Sequence, residues 1–164
     1  MARMEQTRTY SWGDPQQMAK AGRGLAGLEF MQLLASDELG STPMLATLAY
    51  KFVAVDDGYV EFECNPGEFM YNPLGVVHGG VAATLLDSAA SCAVNTTLPP
   101  GTSYTTLDLS VHFLRPIAGD LGQIRAIGTV LNRGRRTALG QAELRDSSNR
   151  LLANATASCM LFPN

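Results

Sequence analysis

The chain has few cysteines, few charged residues and no excess of basic residues. Its three cysteines, Cys64, Cys92 and Cys159, form no CxxC pair, which argues against a disulfide framework or a metal site and favours reduced thiols in the cytoplasm. Charged residues make up 16% of the chain, and the net charge is −3. Because nucleic-acid binders normally carry a basic stripe, this balance argues against nucleic acid as a partner.

The sequence also lacks an apolar leader and an uninterrupted hydrophobic run of membrane length. The N-terminal stretch, MARMEQTRTYSWGDPQQ, contains no apolar segment typical of a signal peptide. The most apolar segment, 69–107, is interrupted by Pro73, Asp87 and Asn95. We therefore expect a buried helix with flanking loops and no association with a membrane.

The apolar material that is present suits one globular domain. Hydrophobic residues make up 46% of the 164 residues, which is enough to bury a core. The low charged fraction indicates that part of the surface is covered in subunit contacts. We divide the chain into an N-terminal extension with a short helix, 1–40, and a main domain, 41–164.

Hydrophobic periodicity and turn residues predict the order of elements. Residues 1–15 show no pattern and are expected to be poorly ordered, and Pro43 is expected to end any helix that precedes it. The predicted helices are 16–35 and 79–97, and the predicted strands are 44–55, 59–64, 103–114, 121–131, 136–146 and 150–162. The first two strands should form a hairpin through Asp56-Asp57-Gly58.

The predicted helix 79–97 is apolar on nearly every side, so other elements must cover it. In the strand that follows, Leu107 to Phe113 should place odd-numbered apolar residues on one face, and Thr106, Asp108, Ser110 and His112 on the other. An antiparallel sheet wrapped around one central helix satisfies both patterns. The predicted fold class is therefore α+β.

Asp87 is the one fully charged side chain between Glu68 and Asp108. It is predicted to lie in the middle of an apolar helix, where Asp is a poor helix former, and no cation lies three or four residues away. Burying a carboxylate without a partner is costly. Asp87 either opens onto a cavity, where it has a functional role, or lies on an exposed stripe or pairs with a distant arginine.

The loop before this helix ends in His78-Gly79-Gly80. Two glycines at a helix start leave backbone N–H groups unshielded at the positive end of the helix dipole, which is the geometry of an oxyanion hole. A close-packed turn would give the same three residues. The carboxylate eight residues later, Asp87, favours the catalytic interpretation.

These motifs resemble a known family. The pattern N-x-x-x-x-x-H-G-G-x-x-x-x-L-x-D-x-A from Asn72 to Ala89, followed by T-x-D-x-x-x-x-F-x-R-P from Thr106 to Pro116, resembles hotdog-fold thioesterases of the PaaI and THEM2 type, which are related to 4-hydroxybenzoyl-CoA thioesterases. The resemblance covers about residues 44–162. It implies a hotdog fold, hydrolysis of an acyl-CoA without a metal or organic cofactor, and a homo-oligomer.

The resemblance also implies roles for individual residues. Asp87 matches the catalytic carboxylate, a general base or a nucleophile, and Gly79 matches the glycine whose N–H polarises the thioester carbonyl. Asn72 matches an Asn or Gln near that carbonyl. Thr106 and Ser91 match hydroxyls that hold the attacking water in different members. His78, which we expect to be structural, and Gly80 lie in the same motif beside the substrate.

Helix geometry adds a constraint that does not depend on the resemblance. Gly79 and Asp87 are eight residues apart, so on one helix they are separated by about 12 Å along the axis. One thioester carbonyl cannot reach both groups. If both act, they belong to different chains, which predicts a two-fold dimer, or a tetramer of two such dimers, with active sites at the subunit interface.

Two other functions remain open. A hotdog dehydratase or hydratase would pair a histidine with an acidic residue, as His78 and Asp87 could do. A non-catalytic acyl-CoA sensor would need no Asp87. For the CoA phosphates, which need cations, the candidates are Arg115, Arg133, Arg135 and Arg136, although all four could be solvated turn charges. The acyl group is not determined, and residues 25–34 and 69–71 are candidates for the pocket wall.

Overall fold

A six-stranded antiparallel sheet surrounds one long helix in the computed structural model, which describes residues 4–163. The helices are α1 Pro15–Ala21, α2 Gly27–Ala35, α3 Pro43–Leu48 and α4 Gly79–Thr96. The strands are β1 Tyr50–Asp56, β2 Tyr59–Cys64, β3 Thr102–Phe113, β4 Ile124–Arg133, β5 Thr137–Asp146 and β6 Leu151–Pro163. One 3₁₀ turn, Glu68–Met70, lies between β2 and α4.

The helix α4 is the centre of the core and packs against all six strands. Leu85, Leu86, Ala89, Ala90 and Ala93 on this helix are fully buried. The sheet approaches this helix closely at a glycine of β4, because a Cβ at Gly128 would lie 2.0 Å from the carbonyl oxygen of Ala89. The predicted α+β fold with a sheet around one central helix is confirmed.

The strand order β1-β2-β4-β5-β6-β3 places β1 and β3 at the two edges of the sheet. The predicted hairpin of β1 and β2 is confirmed, with Gly58 at φ +71° in its turn. The predicted strands from 103 to 162 agree with β3 to β6 within a few residues. The free edge of β3 is the longer one, with twelve residues against seven in β1.

The prediction of one continuous helix over 16–35 is wrong. The structure has two helices, α1 and α2, separated by a turn in which Gly24 has φ +81°. Glycine adopts this left-handed conformation without the steric cost of a side chain, so Gly24 allows the chain to turn after α1. The polypeptide then reverses towards the end of α4, and the N–H of Gly27 donates to the carbonyl oxygen of Leu98, two residues beyond that helix, across 2.9 Å.

The prediction of a strand over 44–55 is wrong in its first half. Pro43 does not stop a helix but begins α3, because proline lacks the N–H that the first helical turn leaves unpaired. Ala49, at φ +50°, ends the helix, and β1 starts at Tyr50. The apolar run 44–55 is therefore shared between a helix and a strand.

The simple alternation predicted for β3 fails at Leu107. The pairing of β3 with β6 shifts between Thr106 and Asp108, so that Leu107 is an extra residue and is 60% exposed. Such a bulge reverses the facing of the residues on one side of it. Thr106 therefore faces α4 together with Leu109, rather than the opposite side of the sheet.

Residues 4–14 form no helix or strand but contact the domain. The guanidinium of Arg8 donates to the carbonyl oxygens of Thr47 and Ala46 at the end of α3, and it lies 3.8 Å from the ring centre of Phe69. The expectation of poor order for residues 1–3 lies outside the described residues. Over 4–163, no helix combines the length and the apolar character needed to cross a bilayer.

Candidate active site

Asp87 lies on the middle turns of α4 and faces the edge strand β3. The hydroxyl of Thr106 donates to Asp87 Oδ1 across 3.1 Å. Asp87 forms no ion pair with a cation among the described residues. The alternative in which Asp87 pairs with a distant arginine is therefore not observed. The side chain is partly exposed, which leaves the carboxylate accessible to a small molecule.

Hydroxyl and thiol groups that are removed from water surround Asp87. Tyr50, on β1, shares a hydrogen bond of 2.9 Å with Ser88, the residue after Asp87. Burial raises the pKa of Tyr50 to about 12, against the lowering effect of the Ser88 hydrogen bond, and the charge of Asp87 adds to the increase. Burial likewise raises the pKa of Tyr104 well above its ordinary value. These phenols stay neutral beside the carboxylate.

Cys92 and Cys159 lie close enough to Asp87 to feel its charge but do not suit the role of nucleophile. Removal from water raises the pKa of Cys92 to about 12, and burial also raises the pKa of Cys159. The reactive form of cysteine is the thiolate, which neither residue forms at neutral pH. All three cysteines are unpaired thiols. Asp87 is therefore the better candidate for base or nucleophile in this cluster.

The N–H of Gly79 is an unpaired donor at the start of α4. The N–H of Val81 donates to the carbonyl oxygen of His78, and the N–H of Gly80 donates to Nδ1 of His78 across 2.9 Å. Within residues 4–163 no acceptor is bonded to the N–H of Gly79. A single free N–H at the positive end of an eighteen-residue helix is suited to a developing oxyanion.

His78 is the N-terminal cap of α4. Its ring accepts the Gly80 N–H and is exposed at the surface. This contact gives His78 a local structural reason to be present and leaves Gly80 without a free donor. The roles of His78 and Gly80 beside a substrate stay predictions.

Asn72 lies in the loop before α4 and holds its turn. Its Oδ1 accepts from the N–H of Leu74 across 2.9 Å and from the N–H of Val76 across 3.4 Å. Its own N–H donates to the carbonyl oxygen of Val76. The side-chain oxygen is therefore engaged, and the amide nitrogen is the part of Asn72 that remains for a substrate.

Ser91 is one turn after Asp87 and is 6% exposed. Ser91 lies beside Tyr104 of β3, where it acts to lower the pKa of that phenol, and no hydrogen bond joins its hydroxyl to Asp87 in the described part of the chain. Of the two hydroxyls predicted to hold an attacking water, Thr106 is thus the one in contact with the carboxylate.

The candidate cations lie at two places. Arg115 borders a cavity of about 270 Å³ that is also lined by Gly79 and Phe113, and it donates to the carbonyl oxygen of Leu151. Arg133, Arg135 and Arg136 are exposed at the turn between β4 and β5. No three His, Cys, Asp or Glu side chains in the described part of the chain converge as metal ligands.

The turn arginines lie at the same end of the sheet as Thr106. Ala138, Cys159 and Thr106 form one row across β5, β6 and β3. Two strand spacings separate Ala138 from Thr106, about 10 Å. Arg136 is two residues before the start of this row in the sequence.

Several residues of the site escaped the sequence analysis. Tyr50, Tyr104 and Cys159 come from three different strands, and only the sheet brings them to α4. The sequence pattern assigned Phe113 only to the apolar face of β3. In the structure its ring lies beside Gly79, at van der Waals distance from where a Cβ on that glycine would be. Tyr104 carried a usable signal, since it lies two residues before Thr106 and so shares its face.

Comparison with known proteins identifies the family and the fold. The model of the thioesterase superfamily matches residues 74–153, which include α4 and β3. A phenylacetic acid degradation-related protein from Ralstonia eutropha JMP134 is 33% identical, with a TM-score of 0.68 over 77% of this chain and 98% of that chain. The chain belongs to the thioesterase superfamily. Its fold is the hotdog fold of that superfamily.

Two other relatives extend the comparison. The Escherichia coli PaaI protein from the phenylacetic acid degradation operon shares the fold, with a TM-score of 0.72, 21% identity and coverage of 85% of this chain and 97% of that chain. The medium/long-chain acyl-CoA thioesterase YigI of Escherichia coli K12 is 31% identical over an alignment of 99 positions that covers 52% of this chain and 63% of that protein. Thioester hydrolysis is the activity at the level of the family.

Proposed function

We propose that this chain hydrolyses acyl-CoA thioesters to a free acid and CoA. The observation that carries the proposal is the pair of complementary groups on α4. Asp87 is a carboxylate held by Thr106 and free of cations, and Gly79 offers an unpaired backbone N–H. The YigI relative, which is named an acyl-CoA thioesterase, supports CoA as the thiol half of the substrate.

The chemistry needs one activated oxygen and one oxyanion donor. As a base, Asp87 takes a proton from water, the hydroxide adds to the thioester carbon, and the N–H of Gly79 stabilises the oxyanion until the CoA thiolate leaves. As a nucleophile, Asp87 forms an anhydride that water then hydrolyses. In both routes Thr106 fixes the orientation of the carboxylate, and the leaving thiolate is protonated by the medium.

Two chains are needed to bring the groups together, because about 12 Å of helix separates them in one chain. The free edge of β3 provides a means of association. Thr106 of β3 contacts Asp87, and Phe113 of the same strand lies beside Gly79. An antiparallel pairing of two β3 strands about Leu109 and Ser110 places Thr106 opposite the partner's Phe113. That register brings Asp87 towards the partner's Gly79, in a two-fold dimer with two sites.

The arginines suit the nucleotide half of CoA. In the same dimer, Arg135 and Arg136 of one chain and Arg115 of the partner lie at the same end of each site. Arginine binds phosphate with paired hydrogen bonds, and none of these three forms an ion pair within residues 4–163. The unpaired cysteines suit a reducing compartment, so the cytoplasm stays our prediction for its location.

Release of free thiol from a panel of short, long and aromatic acyl-CoAs tests the proposal. The wild-type chain should release CoA from at least one of them, and Asp87→Asn should not. A hydratase or dehydratase would change the acyl group without releasing thiol. A non-catalytic binder would bind acyl-CoA without any turnover. Either result, or full activity in a folded Asp87→Asn protein, would overturn the proposal.

A further inference from the structure

The edge strand β3 lacks proline and lysine, which often keep a sheet edge unpaired. It also contains no arginine over its twelve residues. The opposite edge strand, β1, is shorter and carries Lys51. Of the two edges, β3 is therefore the one suited to pairing with another strand.

An acidic and a basic side chain lie on the outer face of β3. Asp108 and His112 are each two residues from Ser110, and all three are exposed. Leu109 and Val111, which alternate with them, pack against the core. Because successive residues of a strand face opposite sides, Asp108, Ser110 and His112 share the face of the sheet that is turned away from α4.

Neither Asp108 nor His112 meets a complementary charge in its own sheet. On the neighbouring strand β6, Asp108 is opposite Ser158 and His112 is opposite Asn154. The next charge in the row of His112 is Glu143 on β5, two strand spacings or about 10 Å away. Neither side chain forms an ion pair within residues 4–163. The free edge of β3 is the side from which another strand can supply a partner.

The bulge at Leu107 defines how two copies of β3 align. The shared site places Thr106 opposite the partner's Phe113. Because the bulge leaves Leu107 without a counterpart, pairing beyond it shifts by one residue, and Ser110 meets the partner's Ser110. Residues that pair in this register face the same side of the sheet along the whole seam, as antiparallel pairing requires.

Resting on the shared active site proposed above, we propose that two copies of this chain recognise each other through Asp108 and His112. With Ser110 on the two-fold axis, Asp108 lies opposite the partner's His112, and the axis repeats the pair. Directly opposite residues have Cβ atoms about 4.5–5.5 Å apart. At this separation a ring N–H of the imidazole donates to the carboxylate. The chemistry of the edge thus fits a second copy of the chain.

Charge matching distinguishes this register from its neighbours. A register centred on Asp108 places two carboxylates opposite each other, and one centred on His112 places two imidazoles together. Like charges directly opposite each other are destabilising. A register centred on Leu109 pairs Asp108 with Ser110 and leaves His112 unmatched. Of these four registers, the one centred on Ser110 matches the charges, and it is also the one that completes the active site.

Oxidative cross-linking of the full-length protein tests the register. Ser110→Cys should form a disulfide between chains, because opposite Cα atoms of an antiparallel pair are about 4.5–5.5 Å apart, a range that disulfides span. Asp108→Cys is the matched control on the same face. Its two copies lie about 13 Å apart along the seam and should not cross-link. Absence of the Ser110→Cys cross-link, or a wild type that sediments as a monomer, would overturn the proposal.

Variants with changed charges test the recognition itself. His112→Glu places two acidic groups opposite each other and Asp108→Lys two basic groups, at both pairs of the dimer. Each variant alone should raise the dimer dissociation constant, measured by sedimentation, by about tenfold or more. A mixture of the two variants restores opposite charges and should form mixed dimers with an affinity close to that of the wild type.

Gln141→Glu is the matched control for these variants. It adds a charge to the same face of the sheet, two strands from the edge, and should not change the dissociation constant. Single variants at Asp108 and His112 that associate as tightly as the wild type would overturn the role of this pair.

Sedimentation needs no substrate, so failure of the pairing is distinguishable from failure of the proposed function. The cross-linked Ser110→Cys dimer should still release thiol from acyl-CoA, because residue 110 faces away from Asp87. Thiol release by monomers would overturn the pairing and leave hydrolysis in place. Tight dimers in this register that release no thiol from any acyl-CoA would instead overturn the proposed function.

Discussion

The hydroxyl of Thr106 on the edge strand β3 donates to the carboxylate of Asp87 on the central helix, across 3.1 Å. The contact exists because the bulge at Leu107 turns Thr106 towards the helix. It joins the edge strand, which is free to pair with a second chain, to the residue that we propose carries the chemistry.

This contact leads to the first prediction. Asp87→Asn should lower kcat by about 10²–10⁴-fold, because the amide is neither a base nor a nucleophile. Thr106→Val should lower kcat by about tenfold, since it removes a hydrogen bond to a charged group and keeps the shape of the side chain. Thr106→Ser keeps the hydroxyl and is the matched control. Equal kcat for the Val and Ser variants would show that the contact is not used in turnover.

The second prediction concerns the N–H of Gly79. Proline fits the first position of a helix, where it removes the N–H and adds ring carbons, and His78 already has the extended backbone, with ψ 135°, that precedes proline. Gly79→Pro should therefore lower kcat by about 10²–10³-fold with little change in melting temperature. Gly79→Ala retains the donor and is the control for contact with Phe113. If the Pro and Ala variants turn over equally, the oxyanion donor lies elsewhere.

The third prediction concerns sharing of the site between chains. After subunit exchange, an equal mixture of Asp87→Asn and Gly79→Pro chains should regain about one quarter of wild-type activity. Half of the dimers are then mixed, and one of the two sites in each mixed dimer has both groups intact. Native mass spectrometry verifies the exchange. A mixture that has exchanged and stays inactive contradicts the shared site.

The fourth prediction separates two roles of Asn72. Asn72→Ala removes the acceptor for Leu74 and Val76, so the melting temperature should fall by an amount equivalent to about 1–3 kcal/mol. Asn72→Asp keeps this acceptor and loses the amide donor. If the amide contacts the substrate, Asn72→Asp should melt close to the wild type and lose kcat more than it changes KM. Normal kcat in Asn72→Asp would remove Asn72 from the site and leave it a turn residue.

The fifth prediction concerns stability at low pH. Asp146 accepts hydrogen bonds from the backbone of Arg150 and Ser148, and with the Arg150 guanidinium these contacts hold the pKa of Asp146 below its usual value. The unfolded-state pKa of an aspartate is about 3.9, and a lower pKa in the folded state stabilises the folded protein at any pH above that value. This contribution is lost as the pH falls through the folded-state pKa. The free energy of unfolding of Asp146→Asn should therefore differ most from the wild type near neutral pH.

Urea unfolding of both proteins between neutral pH and about pH 2 measures this difference. The gap between the two should be constant above about pH 5 and should close below about pH 4. A gap that does not depend on pH would show that the carboxylate contributes through its shape alone. Arg145→Gln is the matched control at the same hairpin, since it breaks a part-buried pair with Glu143 and a hydrogen bond to the carbonyl oxygen of Asn149 but leaves Asp146 in place.

Sequence patterns were sufficient for elements that are governed by local chemistry. The apolar helix from Gly79 to Thr96 and the hairpin at Gly58 follow from periodicity and turn residues, which act over a few residues. The isolation of Asp87 in an apolar segment was likewise visible in the sequence. The same local rules misjudged Pro43, because proline at a helix start and proline after a helix have opposite meanings and the pattern alone does not distinguish them.

The sequence by itself determined the fold class, the central helix and the candidate carboxylate, because hydrophobic periodicity and an unpaired charge are properties of neighbouring residues. Only the tertiary structure decided that Thr106 faces Asp87, that Ser91 lies beside Tyr104, and that the N–H of Gly27 in α2 is bonded to Leu98. Each of these depends on a bulge or on a contact between elements distant in the chain. Pairing register and backbone approach set such contacts, and alternation along a single strand does not contain them.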